Sequence, residues 1–277
     1  YEKNIKDIFE FYGVRPNFKI KKLWYPDFKI GTFFYSLSIF YYLLLNRKFD
    51  LVYGRFLHGC YFAALFGNKI VFESHAPIYE EQRYTQKFFD LLIKRKNFKK
   101  LVVISQALKN MYLENTILNE KKIQVVHDGA DEVKNFSQKV KLFGKEENLK
   151  VGYVGHLYKG KGIEIIEAIS NKVSSDIEFH IIGGLEKDIE QWKAKIESDN
   201  VFFYGYVPHK QVSKFINSLD VCLLPNQKVV LAYGSESGGI NISGYTSPLK
   251  LFEYMSHKKV IISSDLPVLR EVLNEEN

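Results

Sequence analysis

The stretch Tyr245–Met255, which reads Y-T-S-P-L-K-L-F-E-Y-M, has the residues of an anion-binding helix start. Ser247 can accept a hydrogen bond from the first helical turn, and Pro248 suits that turn because its missing N–H needs no partner. The amides of the next two residues, Leu249 and Lys250, then point out of the positive end of the helix dipole. That end predicts a phosphate-binding site.

Glu253 follows three residues after Lys250 and therefore lies on the same helical face. A carboxylate one turn below a phosphate site is well placed to accept hydrogen bonds from the ribose hydroxyls of a nucleotide. An ordinary capped helix with a surface glutamate has the same pattern, so this motif alone leaves both interpretations open.

A second stretch, Lys150–Gly162, reads K-V-G-Y-V-G-H-L-Y-K-G-K-G. It predicts a strand, a glycine-rich turn and a helix that begins near Gly162. Glycines allow close backbone approach to a ligand, and Lys161 supplies a cation at the helix entrance. The stretch lacks the G-x-G-x-x-G dinucleotide fingerprint, and no P-loop follows. The alternative interpretation is a tight strand-to-helix turn with a solvated lysine.

The elements that must position these loops alternate along the chain. We expect strands over Leu51–Tyr53, Lys69–Glu73, Leu101–Ile104, Ile123–Val126, Lys150–Val154, Glu178–Ile182, Val201–Tyr204, Val221–Leu224 and Val260–Ser263. We expect helices over Phe34–Leu45, Arg83–Lys94, Gln106–Glu114, Gly162–Asn171, Glu186–Ser198, His209–Ser218, Pro248–Ser256 and Pro267–Leu273. This order predicts an α/β fold with parallel sheets and helices on both faces. The charged segment Lys134–Asn148 is interpreted as a linker, which predicts two Rossmann-like domains, residues 1–143 and 144–277, with a cleft between them.

The amino-acid composition limits the kinds of binding partner and the cellular location that we expect. The 277 residues include 39 Lys+Arg and 32 Asp+Glu, for a net charge of +7, which favours anionic partners. Arginine occurs only six times, so a surface that reads nucleic-acid bases is not expected. Two cysteines are too few for a disulfide framework, which makes a reducing, cytoplasmic location the default. The longest uncharged run, Ile30–Asn46, is shorter than the roughly 20 residues of a membrane span and predicts a buried or interfacial helix.

Taken together, the motifs resemble those of the retaining GT-B glycosyltransferases of family 4. The family's Gly-Arg-Leu-x-x-x-Lys-Gly loop is matched by Gly155-His156-Leu157 and Lys161-Gly162, and its Pro-x-Lys-x-x-Glu-Tyr-Met helix start by Pro248 to Met255. Weaker matches follow in the family's order: Val103-Ile104-Ser105, Lys109, Val126 to Asp131, Ile182-Gly183-Gly184, Gly205 to Pro208, Asp220-Val221 and Leu224-Pro225-Asn226. The resemblance covers roughly Asp50 to the C-terminus.

The resemblance implies a nucleotide-sugar donor held mostly by the second domain. The diphosphate would contact Lys161, Gly155, His156 and the amides of Leu249 and Lys250. Glu253 would hold the ribose, and the backbone at Tyr206-Val207 would meet the base, while Ser247 and Tyr245 would lie at the donor as well. The sugar would pass, with retention, to a saccharide or a lipid-linked acceptor. No cofactor is expected, and because no Asp-x-Asp occurs, no metal is expected either.

Three departures from the family pattern stand out. His156 occupies the position of the loop arginine, which removes a permanent charge beside the diphosphate. Tyr245 occupies the position of the first of two family glutamates eight residues apart, so sugar selectivity does not follow from the resemblance. The first strand with its glycine loop and a final helix are not recognisable. We therefore expect a chain that is shortened at both ends and is weakly active or inactive by itself.

In the first domain, Val71–Pro77 predicts a strand end that carries two polar side chains on one face, Glu73 and His75. Family members have a histidine at a matching position near the transferred sugar. We therefore expect His75 to be catalytic together with Lys161 and Glu253; the alternative is a strand-end histidine bonded to backbone. Arg55, after another strand, would bind an acceptor anion or form a surface salt bridge.

Two other functions and one further partner stay open. A nucleotide-sugar epimerase or hydrolase would need cleft carboxylates, for which Glu73 and Glu236 are the loose candidates. A non-catalytic binder of nucleotides or polyanions would need none. The basic stretches 94–100 and 19–22, with the aromatic pair Trp24-Tyr25, predict contact with an anionic membrane surface at the cytoplasmic face, unless these lysines are simply solvated.

Overall fold

The computed structural model describes residues 5, 7–12, 14–28, 30–46, 48–230 and 241–275. Its helices are α1 (Ile8–Tyr12), α2 (Gly31–Leu45), α3 (Leu57–Leu65), α4 (Arg83–Ile93), α5 (Gln106–Asn115), α6 (Ile163–Ser170), α7 (Glu186–Lys193), α8 (His209–Ser218), α9 (Leu249–Ser256) and α10 (Pro267–Arg270). Its strands are β1 (Val52–Gly54), β2 (Ile70–Ser74), β3 (Phe98–Val103), β4 (Ile123–Val125), β5 (Leu149–Val154), β6 (Ile177–Ile182), β7 (Val201–Gly205), β8 (Val221–Leu224) and β9 (Val260–Ser263).

The strands form two sheets, and this confirms the predicted α/β class. The first sheet has the order β1-β2-β3-β4, and the second has the order β7-β6-β5-β8-β9. In the second sheet each neighbouring pair is parallel. Its first strand, β5, lies in the middle, and the strand order reverses between β5 and β8. Open parallel sheets bind ligands at the carboxyl ends of the strands beside such a reversal.

The chain divides into two compact units. One comprises Tyr1–Glu73 with Ile78–Leu101, and the other comprises Ser74–Pro77 with Val102–Asn277. The domain border that the sequence suggests between residues 143 and 144 stays a prediction.

The second sheet has an apolar layer on each face, as its strand pattern predicts. On one face Val151, Tyr153 and Phe179 pack with residues of helices α6 and α7. On the other, Val154, Cys222 and Tyr254 pack with residues of helix α8. Alternate residues of β5 thus point into opposite layers, which is the period of a strand buried on both faces.

The segment predicted as a linker has no helix or strand, yet it is fastened to the second unit. The side-chain amide of Asn217 donates to the carbonyl oxygens of Asn135 and Gln138, at 3.1 and 3.0 Å. The Phe143 amide donates to the hydroxyl oxygen of Tyr204 at 2.8 Å, and their rings stack. The segment is therefore held by contacts with residues of helix α8 and strand β7.

The predicted helix over the longest uncharged run is present as α2. Four of its residues, Phe33, Leu37, Tyr41 and Leu45, recur every four positions and are each at least 45% exposed, so they form an apolar stripe on one helix face. Within the described residues, no helix is both long enough and apolar enough to cross a membrane.

Candidate functional site

The predicted site residues of the second unit lie at the carboxyl ends of the strands of the second sheet. Gly155 follows β5, Gly183 follows β6, Tyr206 follows β7 and Pro225 follows β8. This is the edge at which parallel sheets place their ligands.

Glycines shape the loop after β5. Gly155, Gly160 and Gly162 have φ values of 144°, 88° and 91°, in the region that side chains rarely adopt. A Cβ on Gly160 or Gly162 would overlap the backbone carbonyl oxygen of Val229 or Pro225, respectively. The loop can therefore lie directly against the segment that follows β8, and helix α6 begins at its end.

Two cationic side chains of the site lie beside aromatic rings. The Nζ of Lys250 lies 3.9 Å from the ring centroid of Tyr153, and the Nζ of Lys161 lies 5.5 Å from that of Tyr158. The His156 ring stacks on the same Tyr158 at 5.2 Å. Burial lowers the pKa of His156, and the charges of Lys161 and Lys250 lower it further. The three groups therefore lie within electrostatic reach of one another.

Lys250 is the most unusual of these groups. Its Nζ is buried and has no hydrogen-bond partner among the residues that the structure describes. Burial holds the pKa of Lys250 well below its usual range, the charge of Lys161 adds to that effect, and Glu253 opposes it. A buried ammonium without an acceptor is costly, which makes this position receptive to an anion.

The start of helix α9 differs in one respect from the sequence-based expectation. The capping position is Pro248, and Ser247 does not cap the helix: its hydroxyl oxygen instead accepts a hydrogen bond from the Asp128 amide at 3.2 Å. The amides of Leu249 and Lys250, as the first two of the helix, still lack an acceptor inside it. The helix therefore begins where the sequence predicts but without its serine cap, and anion binding there stays a prediction.

Glu253 faces a residue that the sequence motifs did not single out. Its Oε1 lies 3.9 Å from Nε2 of His209, the first residue of helix α8. Burial raises the pKa of Glu253, whereas His209 and Lys250 lower it. The only signal in the sequence was that His209 follows the Gly205–Pro208 match directly.

Other predicted contacts lie in contrasting surroundings. Tyr206 is 79% exposed, whereas Val207 packs against the apolar layer beneath α8. Tyr245 is buried, and its carbonyl oxygen accepts a hydrogen bond from the Ser105 hydroxyl at 2.8 Å. The carbonyl Oδ1 of Asn226, in the loop after β8, is buried without a partner in the described ranges. Contact of these residues with a donor stays a prediction.

The strand ends of the first sheet carry a separate polar cluster. The hydroxyl of Tyr53 donates to the Glu73 carboxylate, which also lies 3.9 Å from Nε of Arg55. Burial and the bond to Glu73 raise the pKa of Tyr53 to about 12. Arg55 thus forms the salt bridge that the sequence left as one of two interpretations. His75 comes directly after the last residue of β2, and its catalytic part stays a prediction.

Within the described ranges, no three His, Cys, Asp or Glu side chains gather as a group that could hold a metal ion. Glu236 lies outside the described residues.

Comparison with known proteins gives a family match and two curated relatives. Residues 148–277 match the family described as glycosyl transferases group 1. An uncharacterised glycosyltransferase of Methanocaldococcus jannaschii is 26% identical over 294 residues, which cover 95% of this chain and 71% of the relative. An uncharacterised protein of the cps region of Klebsiella pneumoniae is 25% identical over 221 residues, which cover 69% of this chain and 59% of the relative.

Solved structures share the fold. A glycosyltransferase of Rickettsia africae matches with a TM-score of 0.64 at 16% identity, over 92% of this chain and 68% of its own. HepE of Anabaena, solved with UDP and glucose, matches with a TM-score of 0.61 at 13% identity, over 90% of this chain and 67% of its own. WaaG, a glycosyltransferase of lipopolysaccharide biosynthesis, matches with a TM-score of 0.54 at 13% identity, over 88% of this chain and 67% of its own.

Proposed function

We propose that the chain transfers a sugar from a nucleoside-diphosphate sugar to an acceptor hydroxyl, because it shares the GT-B fold of solved glycosyltransferases and its residues 148–277 match the group 1 glycosyl transferases. The transfer retains the anomeric configuration and needs no metal ion. The acceptor is a saccharide or a lipid-linked saccharide, in the synthesis of a surface polysaccharide.

One observation carries the proposal: three basic side chains and one carboxylate converge at the edge of the second sheet. His156, Lys161 and Lys250 interact electrostatically, and Glu253 lies one helical turn after Lys250. The cations and the amides at the start of α9 fit a diphosphate. Glu253 then fits the ribose hydroxyls, with the base beside Tyr206-Val207. A nucleoside diphosphate has these groups in that order.

In the proposed reaction the acceptor oxygen forms a bond to the anomeric carbon while the bond from that carbon to the diphosphate breaks. The acceptor proton passes to the departing phosphate oxygen, so attack and departure occur on the same face. Negative charge grows on the diphosphate, and Lys161 and the preorganised amides stabilise it, a contribution of several kcal/mol where water is excluded. His75 contacts the transferred sugar.

Three relatives support the choice of substrates. HepE was solved with UDP and glucose, WaaG acts in lipopolysaccharide biosynthesis, and the Klebsiella relative is encoded in a cps region. A nucleotide-sugar donor and a saccharide acceptor fit all three. A metal is not required, because the site itself supplies cations to the diphosphate.

The competing functions make different demands. An epimerase or hydrolase needs a carboxylate free to move protons, but Glu73 is already engaged by Tyr53 and Arg55. A non-catalytic binder would retain a nucleotide without turnover.

Incubation with labelled UDP-, GDP- and ADP-sugars and a lipid-linked saccharide separates these functions. The proposal expects labelled acceptor with the donor configuration, at a rate that EDTA does not change. Released free sugar or an epimerised donor would favour the epimerase or hydrolase. Bound nucleotide without any product would favour the binder, and a rate lost in EDTA and restored by Mg²⁺ or Mn²⁺ would contradict metal independence.

We also propose that the protein is cytoplasmic and that the first unit contacts an anionic membrane surface. Lys94, Arg95 and Lys96 line a surface cleft together with Leu65 and Leu91, which are 43% and 51% exposed. Exposed Trp24 and Tyr25 and the apolar stripe of α2 add surface suited to the membrane interface. Each lysine near an anionic leaflet contributes about 1 kcal/mol.

A further inference from the structure

We infer that the side chain of Lys250, and not only its backbone amide, supplies positive charge at the glycine loop, in which His156 stands in place of the family arginine. This rests on the proposed function, since the anion that the charge serves is the donor diphosphate. The sequence motif had assigned Lys250 only through its backbone amide.

The position of the ammonium group supports this role. Nζ lies 3.9 Å from the Tyr153 ring centroid and would lie 3.2 Å from a Cβ built on Gly155. Gly155 opens the loop and covers the ammonium with backbone alone. The charge therefore reaches the loop from helix α9, whereas an arginine at position 156 would reach it from the loop itself.

The charged groups around Lys250 also support this role. Burial lowers the pKa of Lys250 and the charge of Lys161 lowers it further, and Lys250 has no hydrogen-bonding acceptor among the described residues. Two like charges beside one buried position destabilise that position until an anion arrives. His156 is held toward its neutral form by burial and by both lysines, so it adds hydrogen bonding rather than a fixed charge.

This role of Lys250 predicts which part of the nucleotide the side chain helps to bind. A charge on the diphosphate should matter more for a nucleoside diphosphate than for the corresponding monophosphate, whereas general damage to the site would weaken both. The ratio of the two affinities therefore isolates the diphosphate charge from ribose and base contacts.

The experiment measures this ratio by calorimetric titration with UDP and UMP, GDP and GMP, and ADP and AMP, using the pair that the parent binds best. Lys250→Met is expected to lower the diphosphate-to-monophosphate ratio about tenfold, the size of one charge-assisted hydrogen bond. The variant should fold, because it replaces an unpartnered buried ammonium by an apolar group of similar length. Lys195→Met, which removes a lysine from beside the Trp192 ring outside the site, is the matched control and should keep the parent ratio.

A rescue variant provides the decisive comparison in this experiment. The double variant His156→Arg/Lys250→Met returns the charge from the loop side and should restore most of the ratio. A folded Lys250→Met protein with the parent ratio, or a double variant no better than the single one, would overturn the inference while leaving the proposed function intact. A parent that binds none of the three diphosphates would overturn the proposed function, and the inference with it.

Discussion

The Oε1 atom of Glu253 lies 3.9 Å from Nε2 of His209, which joins the carboxylate of helix α9 to the first residue of helix α8. His209 is widely exposed, whereas Glu253 is about one-third exposed, so the pair sits at the mouth of the proposed ribose site. His209 counteracts the burial that raises the pKa of Glu253 and thereby favours the ionised carboxylate. An ionised carboxylate is the better acceptor for ribose hydroxyls.

This pair predicts a pH dependence of nucleotide binding. Because burial raises the pKa of Glu253, the carboxylate is protonated and ribose binding is lost as the pH falls through that raised value. His209→Gln removes an opposing charge, so the loss should begin at a higher pH than in the parent. Titrations with the best nucleoside diphosphate between pH 7.5 and 5 measure the shift.

The control for that experiment is Glu253→Gln. Protonation of the nucleotide itself affects all proteins alike, so only the difference from this variant reports on the carboxylate. Curves for the parent and His209→Gln that superimpose would remove His209 from the site.

Removal of a donor contact should weaken binding without unfolding the protein. Lys161→Ala and Glu253→Ala should each cost roughly 1.5–3 kcal/mol of nucleoside-diphosphate binding, because each removes a charge-assisted hydrogen bond. Calorimetric titration measures the loss, and thermal unfolding confirms the fold. Parent affinity in both folded variants would mean that the nucleotide binds elsewhere.

A buried histidine predicts how stability depends on pH. His180 is fully buried, its Nδ1 pairs with the Tyr204 hydroxyl at 2.9 Å, and burial lowers its pKa to about 4. Below about pH 6.5 the His180 imidazole therefore binds a proton in the unfolded chain but stays neutral in the folded protein. Stability consequently falls as the pH drops toward 4. Between pH 7 and 5 we expect this group to cost about 2 kcal/mol.

Urea unfolding at pH 7 and pH 5 tests this expectation. His180→Gln should lose less stability between the two pH values than the parent, whatever its stability at pH 7. Equal losses in both proteins would show that His180 does not titrate in this range.

Membrane contact predicts a salt-sensitive interaction of the first unit. The protein should sediment with vesicles rich in phosphatidylglycerol but not with phosphatidylcholine vesicles, and high salt should release it, because surface attraction fades within a Debye length. Lys94→Glu/Lys96→Glu should bind more weakly. Lys193→Glu/Lys195→Glu, an equal charge change at exposed positions of the second unit, should behave like the parent. Equal sedimentation with both kinds of vesicle would contradict the proposal.

The sequence by itself determined most of the secondary structure. All nine expected strands are present, and so are all eight expected helices, because strand and helix periods are local and repeat over a few residues. Helices α1 and α3 were missed. The sequence of α3, L-H-G-C-Y-F-A-A-L, is apolar almost throughout and carries no helical period. The residue types in the glycine loop after β5 and at the start of α9 could also be recognised from the sequence, because both are continuous stretches of sequence.

Only the tertiary structure decided which side chains meet. Pro248, not Ser247, occupies the capping position, since Ser247 is bonded to Asp128, far away in the chain. Likewise Lys250 comes to rest beside Tyr153 and Gly155, and Glu253 beside His209. A local pattern fixes the face on which a side chain lies, but its partner depends on how strands and helices distant in sequence pack. Burial and the neighbouring charges, which follow from this packing, then shift the pKa values of Lys250 and Glu253.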